Sequence, residues 1–265
     1  MIREHSVVEI VSATLAGAQQ VIIPTLAYAI AFIASVACLF WAATALPNNT
    51  AGSIGFIVTA AAALFAHSLF SASMSRALLP SAGGIASSAW KLSLAWILVM
   101  VVAAILATSI VLFFSLIGSS LGVVSGESGQ DITDMAAQMR QSGTFYPLFA
   151  LFLLTLLGVV WFAVRMMLFA TATATRDAVH VFRTWAWTKG HFSGLALGML
   201  AFIALPVAAL SYAAAVVIKA TPLVADPALA AGTSAAISAI LLVPAFWLAH
   251  GFTAFAVNHL APDGV

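Results

Sequence analysis

Polar positions along this chain are confined to short intervals between six long apolar runs, at about residues 21–46, 53–73, 92–118, 145–170, 194–218 and 234–257. Each run reaches the roughly 20 residues that a helix needs to cross ~30 Å of hydrocarbon. The runs are continuous, whereas the strands of a membrane barrel alternate apolar and polar positions over about ten residues. The pattern therefore predicts an all-α polytopic membrane protein with six transmembrane helices in a single transmembrane domain.

Three of the intervals carry their own periodicity. At 100° per residue, 6–20 places Ser6, Glu9, Ser12, Gln19 and Gln20 opposite Val7, Val8, Ile10, Val11 and Leu15. Residues 81–91 repeat this more weakly. Residues 176–189 repeat it most sharply, with Arg176, Asp177, His180, Arg183, Thr184 and Thr188 on one arc and Ala178, Val179, Val181, Phe182, Trp185 and Ala186 on the other. Three interfacial amphipathic helices are thus expected, each leading into an odd-numbered span or its equivalent, in a parallel three-fold hairpin repeat.

Composition agrees with this picture and narrows it. The chain of 265 residues is 63% hydrophobic and only 6% charged, against about a quarter charged in soluble domains. A net charge of +1 argues against nucleic acid as a partner, because displacing counterions from a phosphate backbone takes a clustered excess of Lys and Arg. With the N-terminus placed in the cytoplasm, Arg3, Arg76, Lys91, Arg165, Arg176, Arg183 and Lys189 fall on that side and only Arg140 and Lys219 on the other. The longest outer interval is acidic through Glu127, Asp131 and Asp134. This bias predicts a multi-pass protein of the bacterial inner membrane with both termini cytoplasmic. The N-terminal segment has no short apolar core with a small-residue cleavage site, so the first span is expected to be retained. The one cysteine, Cys38, lies in an apolar run and is expected to serve packing.

Candidate chemistry is sparse. No Asp or Glu falls inside a span, which removes the usual proton relays and intramembrane acid catalysts. There is no GxSxG elbow, P-loop or dinucleotide fingerprint, and no cofactor is expected. His67 and His250 sit towards the same ends of the second and sixth spans as weak metal candidates, without HExxH or Cys/His spacing. Pro206 and Pro244 interrupt the helix ladder in the fifth and sixth spans, and two kinked helices can frame a cavity. Gly194 and Gly198 form a GxxxG read as a close-packing site inside the bundle. Arg165 lies one turn inside the end of the fourth span, within reach of phosphates by snorkelling.

Over Val164–Gly190 the segment VRMMLFATATATRDAVHVFRTWAWTKG, with HSVVEIVS near the N-terminus, resembles the bacterial membrane domains associated with glycerophosphodiester phosphodiesterases and the YciC-like inner-membrane proteins. Arg165, Trp187, Thr188, Lys189 and Gly190 occupy the positions that carry the likeness. The resemblance implies a membrane domain without catalytic activity, since the phosphodiesterase of such fusions is a separate soluble barrel. A proline common near the end of the fourth span in those proteins is absent from LFATATAT.

The expectation is a non-enzymatic membrane protein that binds anionic lipid headgroups, a membrane-protein partner or a second copy of itself. Arg165, Arg176, His180, Arg183, Trp187 and Lys189 would form the binding face. The alternative is a transporter or permease subunit for a small neutral or amphiphilic solute, using a cavity near Pro206 and Pro244.

Overall fold

A computed structural model describes residues 6–79, 84–120, 140–141, 143, 145–176, 178–222 and 224–261. The start of the second interfacial stretch at Ser81, the acidic interval with Glu127, Asp131 and Asp134, and Arg3 and Asp177 lie outside the described residues. Among the described residues there is no strand, and six segments are long and apolar enough to cross a membrane. The six expected spans fall within them.

The α-helices among the described residues are α1 (Val7–Ala45), α2 (Thr50–Leu78), α3 (Ile85–Ser120), α4 (Phe145–Met166), α5 (Phe169–Thr175), α6 (Thr184–Trp187), α7 (Phe192–Met199), α8 (Leu205–Ala220) and α9 (Pro227–Leu260), of which all but α6 belong to these segments. Their starts follow capping chemistry. Ser6 and Glu9 form a reciprocal capping box on α1, the Asn49 side chain accepts from Gly52 N–H at α2, and Asp226 accepts from Ala228 and Leu229 ahead of Pro227 at α9. Each satisfies amide groups that a helix start leaves without a partner.

The first two interfacial helices do not exist as separate elements. Residues 7–20 continue without a break into the first span, and 85–91 continue into the third. The reason is local: AGAQQ is a run of good helix formers with a single glycine, and neither junction contains a signal strong enough to stop a helix. At 1.5 Å per residue the 39 residues of α1 extend about 58 Å, nearly twice the hydrocarbon thickness. Val7, Val8 and Leu15 are exposed, while Thr14 and Ala18 are buried.

The chain divides into two compact units. The first holds residues 1–96 and 164–265, and the second holds 97–163. In the first, α1, α2 and α9 enclose a core of Val21, Ala29, Phe32, Phe70, Met74, Ala239 and Val243. Gln20 Nε2 donates to Ala77 O at 2.8 Å and Trp247 Nε1 to Thr25 Oγ1 at 3.3 Å, tying α1 to its neighbours. Small residues set the approach of α1 to α9: Gly17 and Gly251 face each other so closely that a Cβ at Gly17 would meet Gly251 Cα at 3.2 Å. In the second unit, Ile110, Val111 and Phe114 of α3 line a shallow cleft with Phe152, Leu156 and Val159 of α4. Cys38 is exposed rather than packed, one of many apolar side chains on a surface suited to lipid.

Of the GxxxG pair, Gly198 packs inside the bundle. Any Cβ there would run into the ring of Phe252 on α9.

Candidate functional site

Two places in the first unit gather the polar groups of this apolar chain. The first is a cavity of about 420 Å³ whose walls come from α2, α5, α9 and the stretch joining α7 to α8. Pro206 shapes that stretch. Because proline has no N–H to continue the ladder, Leu200–Ala204 widens into one turn of π-helix, and Leu205 N–H reaches back five residues to Leu200 O. Met199, Ile203 and Val207 of this distorted segment face the cavity. Pro244 lies within α9, whose Leu242, Ala245, Phe246 and Ala249 form the opposite wall. Neither proline lines the cavity itself; Val207 next to Pro206 and Ala245 next to Pro244 do.

One part of the lining is polar. His250 Nδ1 lies 2.9 Å from the carbonyl of Phe246, which can only accept, so this nitrogen carries the proton and Nε2 accepts from the Ser71 hydroxyl at 2.7 Å. Thr253 Oγ1 donates to His250 O at 3.3 Å and so receives the proton of Thr171 Oγ1, 2.8 Å away. His67 stands among aromatic rings, 5.4 Å from Phe32, 5.3 Å from Trp96 and 5.8 Å from Phe246 between centroids. Trp96 also lines the cavity, and its buried indole N–H has no hydrogen-bond partner among the described residues.

His67 and His250 therefore share one cavity, but they are engaged differently. Both nitrogens of His250 are occupied, and among the described residues no three His, Cys, Asp or Glu side chains come together as metal ligands. Ser71, Thr171, Thr253, Trp96 and Phe246 were not legible as site residues. Isolated hydroxyls are common in apolar helices, and pairings across 82 and 179 residues leave no local mark in sequence.

The second place is the segment that follows α5. The expected amphipathic helix over 176–189 is not formed. Arg176 is extended (φ −111°, ψ 153°), a turn covers 181–183, and α6 is a single turn ended by Gly190 at φ 82°. The two arcs do not stay apart: His180, Thr184 and Thr188 of the polar arc are buried together with Val181 of the apolar arc, while Val179, Phe182 and Ala186 are exposed together with Arg183. In water a polar face turns outward. At the edge of a membrane bundle, where lipid surrounds the outside, hydroxyls and imidazoles find partners inside and apolar side chains lose nothing outside.

Arg165 accounts for much of this fold-back. Its Nη1 donates to Trp185 O at 3.1 Å and Thr188 Oγ1 at 3.0 Å, across some twenty residues of chain. The His180 N–H donates to Thr173 Oγ1 at 3.0 Å, fastening the other end to α5. Arg176 stacks on Trp187 with Cζ 4.7 Å from a ring centroid, and His180 lies 6.0 Å from the same indole. Burial, and after it the neighbouring charges of Arg176 and Arg183, push the His180 imidazole below its ordinary pKa. Arg183 and Lys189 are exposed. Of the six residues expected on one binding face, Arg176, His180 and Trp187 come together, Arg165 anchors the segment, and Arg183 and Lys189 face outward.

No protein family, curated protein or solved structure matches the chain.

Proposed function

We propose that this integral membrane protein is a non-enzymatic binder of an amphiphilic small molecule, held in the cavity between α2, α5, α8 and α9. The observation that carries this reading is a space of about 420 Å³ with an apolar wall and one polar stretch of Ser71, His250, Thr171 and Thr253. Pockets for small molecules have volumes of ~300–1,000 Å³ and combine apolar walls with a few placed polar groups. A hydrocarbon chain suits the Leu, Ile, Val and Met wall, and a hydroxyl, ester or amide suits the neutral polar end. Among the described residues no Asp, Glu, Lys or Arg lines the cavity, so a neutral polar group is favoured over a charged one.

Ser71 beside His250 has the layout of a nucleophile and its base. Ser71, however, lies inside the continuous helix α2, whose own ladder engages the neighbouring backbone N–H groups. An acyl-transfer site needs such donors for its oxyanion. This supports reading the pair as a polar anchor for a ligand.

The test is retention of a neutral single-chain amphiphile, monolauroylglycerol, by the delipidated protein in native mass spectrometry. Wild type should retain one molecule. Ala249→Trp, which places an indole in the cavity, should reduce retention about tenfold or more through lost volume and apolar contact. Equal retention by both proteins would remove the proposal. Flux of the same amphiphile in proteoliposomes would extend the reading from binding to transport.

Arg183 and Lys189 support a second, weaker association. Both are exposed, and each cation near an anionic leaflet contributes about 1 kcal/mol of attraction. With the Lys and Arg distribution, this favours cytoplasmic termini in an inner membrane.

A further inference from the structure

We infer that Arg176, His180 and Trp187 form a binding site for a phosphate oxyanion, the group common to phospholipid headgroups and free phosphate. The site is separate from the cavity and does not depend on what the cavity holds.

The reasoning starts from two unmet atoms. Arg176 Nη1 and His180 Nδ1 are both buried without a hydrogen-bond partner among the described residues. His180 as a whole is 3% exposed. Buried polar atoms in native proteins are nearly always satisfied, by protein, water or a bound group. Leaving a guanidinium N–H unmet carries the full cost of its desolvation.

The two groups share a support. The Arg176 Cζ lies over the Trp187 ring at 4.7 Å, and the imidazole of His180 lies 6.0 Å from the same indole. A guanidinium over an aromatic ring can still direct N–H groups at an oxyanion, and Arg176 Nη1 has no other partner among the described residues. Cations gather here among the described residues. Arg176 and Arg183 both act on His180 as positive neighbours, and Lys189 follows two residues after Trp187. Asp177 lies outside the described residues. Phosphate is the oxyanion chosen because Arg176 follows directly on Thr175, where an apolar membrane-spanning segment ends and lipid phosphates begin.

The frame is preorganised by bonds that the ligand does not supply. Thr173 Oγ1 holds the His180 backbone, and Arg165 holds Trp185 and Thr188 on either side of Trp187. Little ordering is left for the ligand to impose, so binding is not offset by loop entropy.

The experiment uses the full chain in non-ionic detergent and in nanodiscs, with histidine labelled by ¹⁵N and the His180 signal assigned by its loss in His180→Phe. Inorganic phosphate, titrated against matched chloride, should raise the pH at which His180 protonates, because a nearby anion favours the imidazolium. Arg176→Gln should weaken this phosphate response about tenfold or more, as expected for losing one charge-assisted hydrogen bond. Arg176→Lys keeps the charge and loses the fork. It should give an intermediate affinity in a protein that melts with wild type, separating lost recognition from lost folding. Nanodiscs of phosphatidylcholine with and without phosphatidylglycerol distinguish the sources. If phosphatidylglycerol moves His180 and inorganic phosphate then adds nothing, the ligand is a headgroup; if only inorganic phosphate moves it, the ligand is soluble. No movement with either, or an Arg176→Gln response equal to wild type, would overturn the inference.

Discussion

Replacing Gly251 with valine should prevent α1 and α9 from docking, and even alanine should destabilise the protein by about 3 kcal/mol, the upper range for forcing atoms into a packed interior. A Cβ at this position would stand 2.5 Å from Thr14 O and 3.1 Å from Ala18 N. Both are backbone atoms, so no side-chain rotation relieves the clash and one helix must move away from the other. Movement there would disturb the core behind it, because Val21 and Phe32 on α1 pack with Ala239 and Val243 on α9. It would also disturb the cavity, since His250 immediately precedes Gly251. Gly158 provides the control: a Cβ there meets nothing within 4 Å, so Gly158→Ala should be neutral or gain up to about 1 kcal/mol of helix propensity. Melting in detergent checks both. Equal melting temperatures for Gly251→Ala and wild type would show that α1 and α9 do not rely on this close approach.

Gly251 also shows the limits of what the sequence tells a reader. The six spans are legible because ~20 apolar residues in a row have few other uses. Pro206 is legible as a disturbance because a missing N–H has a local consequence, the π-helical turn before it, whereas α9 runs through Pro244 without a break. Gly251 is one of 17 glycines, and nothing beside it in the chain announces that Gly17 lies opposite. The same holds for Ser71 with His250 and Thr171 with Thr253, which meet only after the helices have packed. The continuity of α1 through Gln20 and of α3 through Lys91 escapes the sequence for a different reason. Periodicity shows that a stretch has two faces, but it does not show whether the helix stops, and no breaker stops it at Gln20 or Lys91.

The fold-back after α5 is the most informative case. Spacing places His180, Thr184 and Thr188 on one arc with Arg183, and the first three are buried together while Arg183 is exposed. The side they face depends on the medium, and the rule that polar faces turn outward belongs to water. Here the buried faces of neighbouring helices offer the hydrogen bonds, with Arg165 foremost. Arg165, Thr188 and Gly190 thus act as one physical unit: a guanidinium, the hydroxyl it bonds, and a glycine whose positive φ ends the turn.

Arg165→Met should release that unit. One guanidinium nitrogen donates to both Trp185 O and Thr188 Oγ1, and each bond from a charged donor contributes about 1.5–3 kcal/mol. Because Arg165 is half-buried and solvent screens part of that, the lower end applies, about 3 kcal/mol for the pair. Methionine keeps the apolar stem and removes only the donors, so α4 should persist while residues 184–191 open. Hydrogen exchange should therefore rise at Thr188, Lys189 and His191, whose amides now close the turn onto Thr184, Ala186 and Thr188 carbonyls, and stay unchanged in α1 and α9. Lysine at 165, with a single nitrogen on a shorter reach, should restore part of the protection, whereas Arg183→Gln, altering an exposed residue of the same segment, should leave it intact. The phosphate response of His180 should weaken in Arg165→Met together with the protection, because Trp187 sits between the two groups that Arg165 holds. Unchanged exchange across 184–191 in Arg165→Met would mean that the fold-back is held by Thr173 and packing alone, and that Arg165 is free to serve the membrane surface as its position at the end of a span first implies.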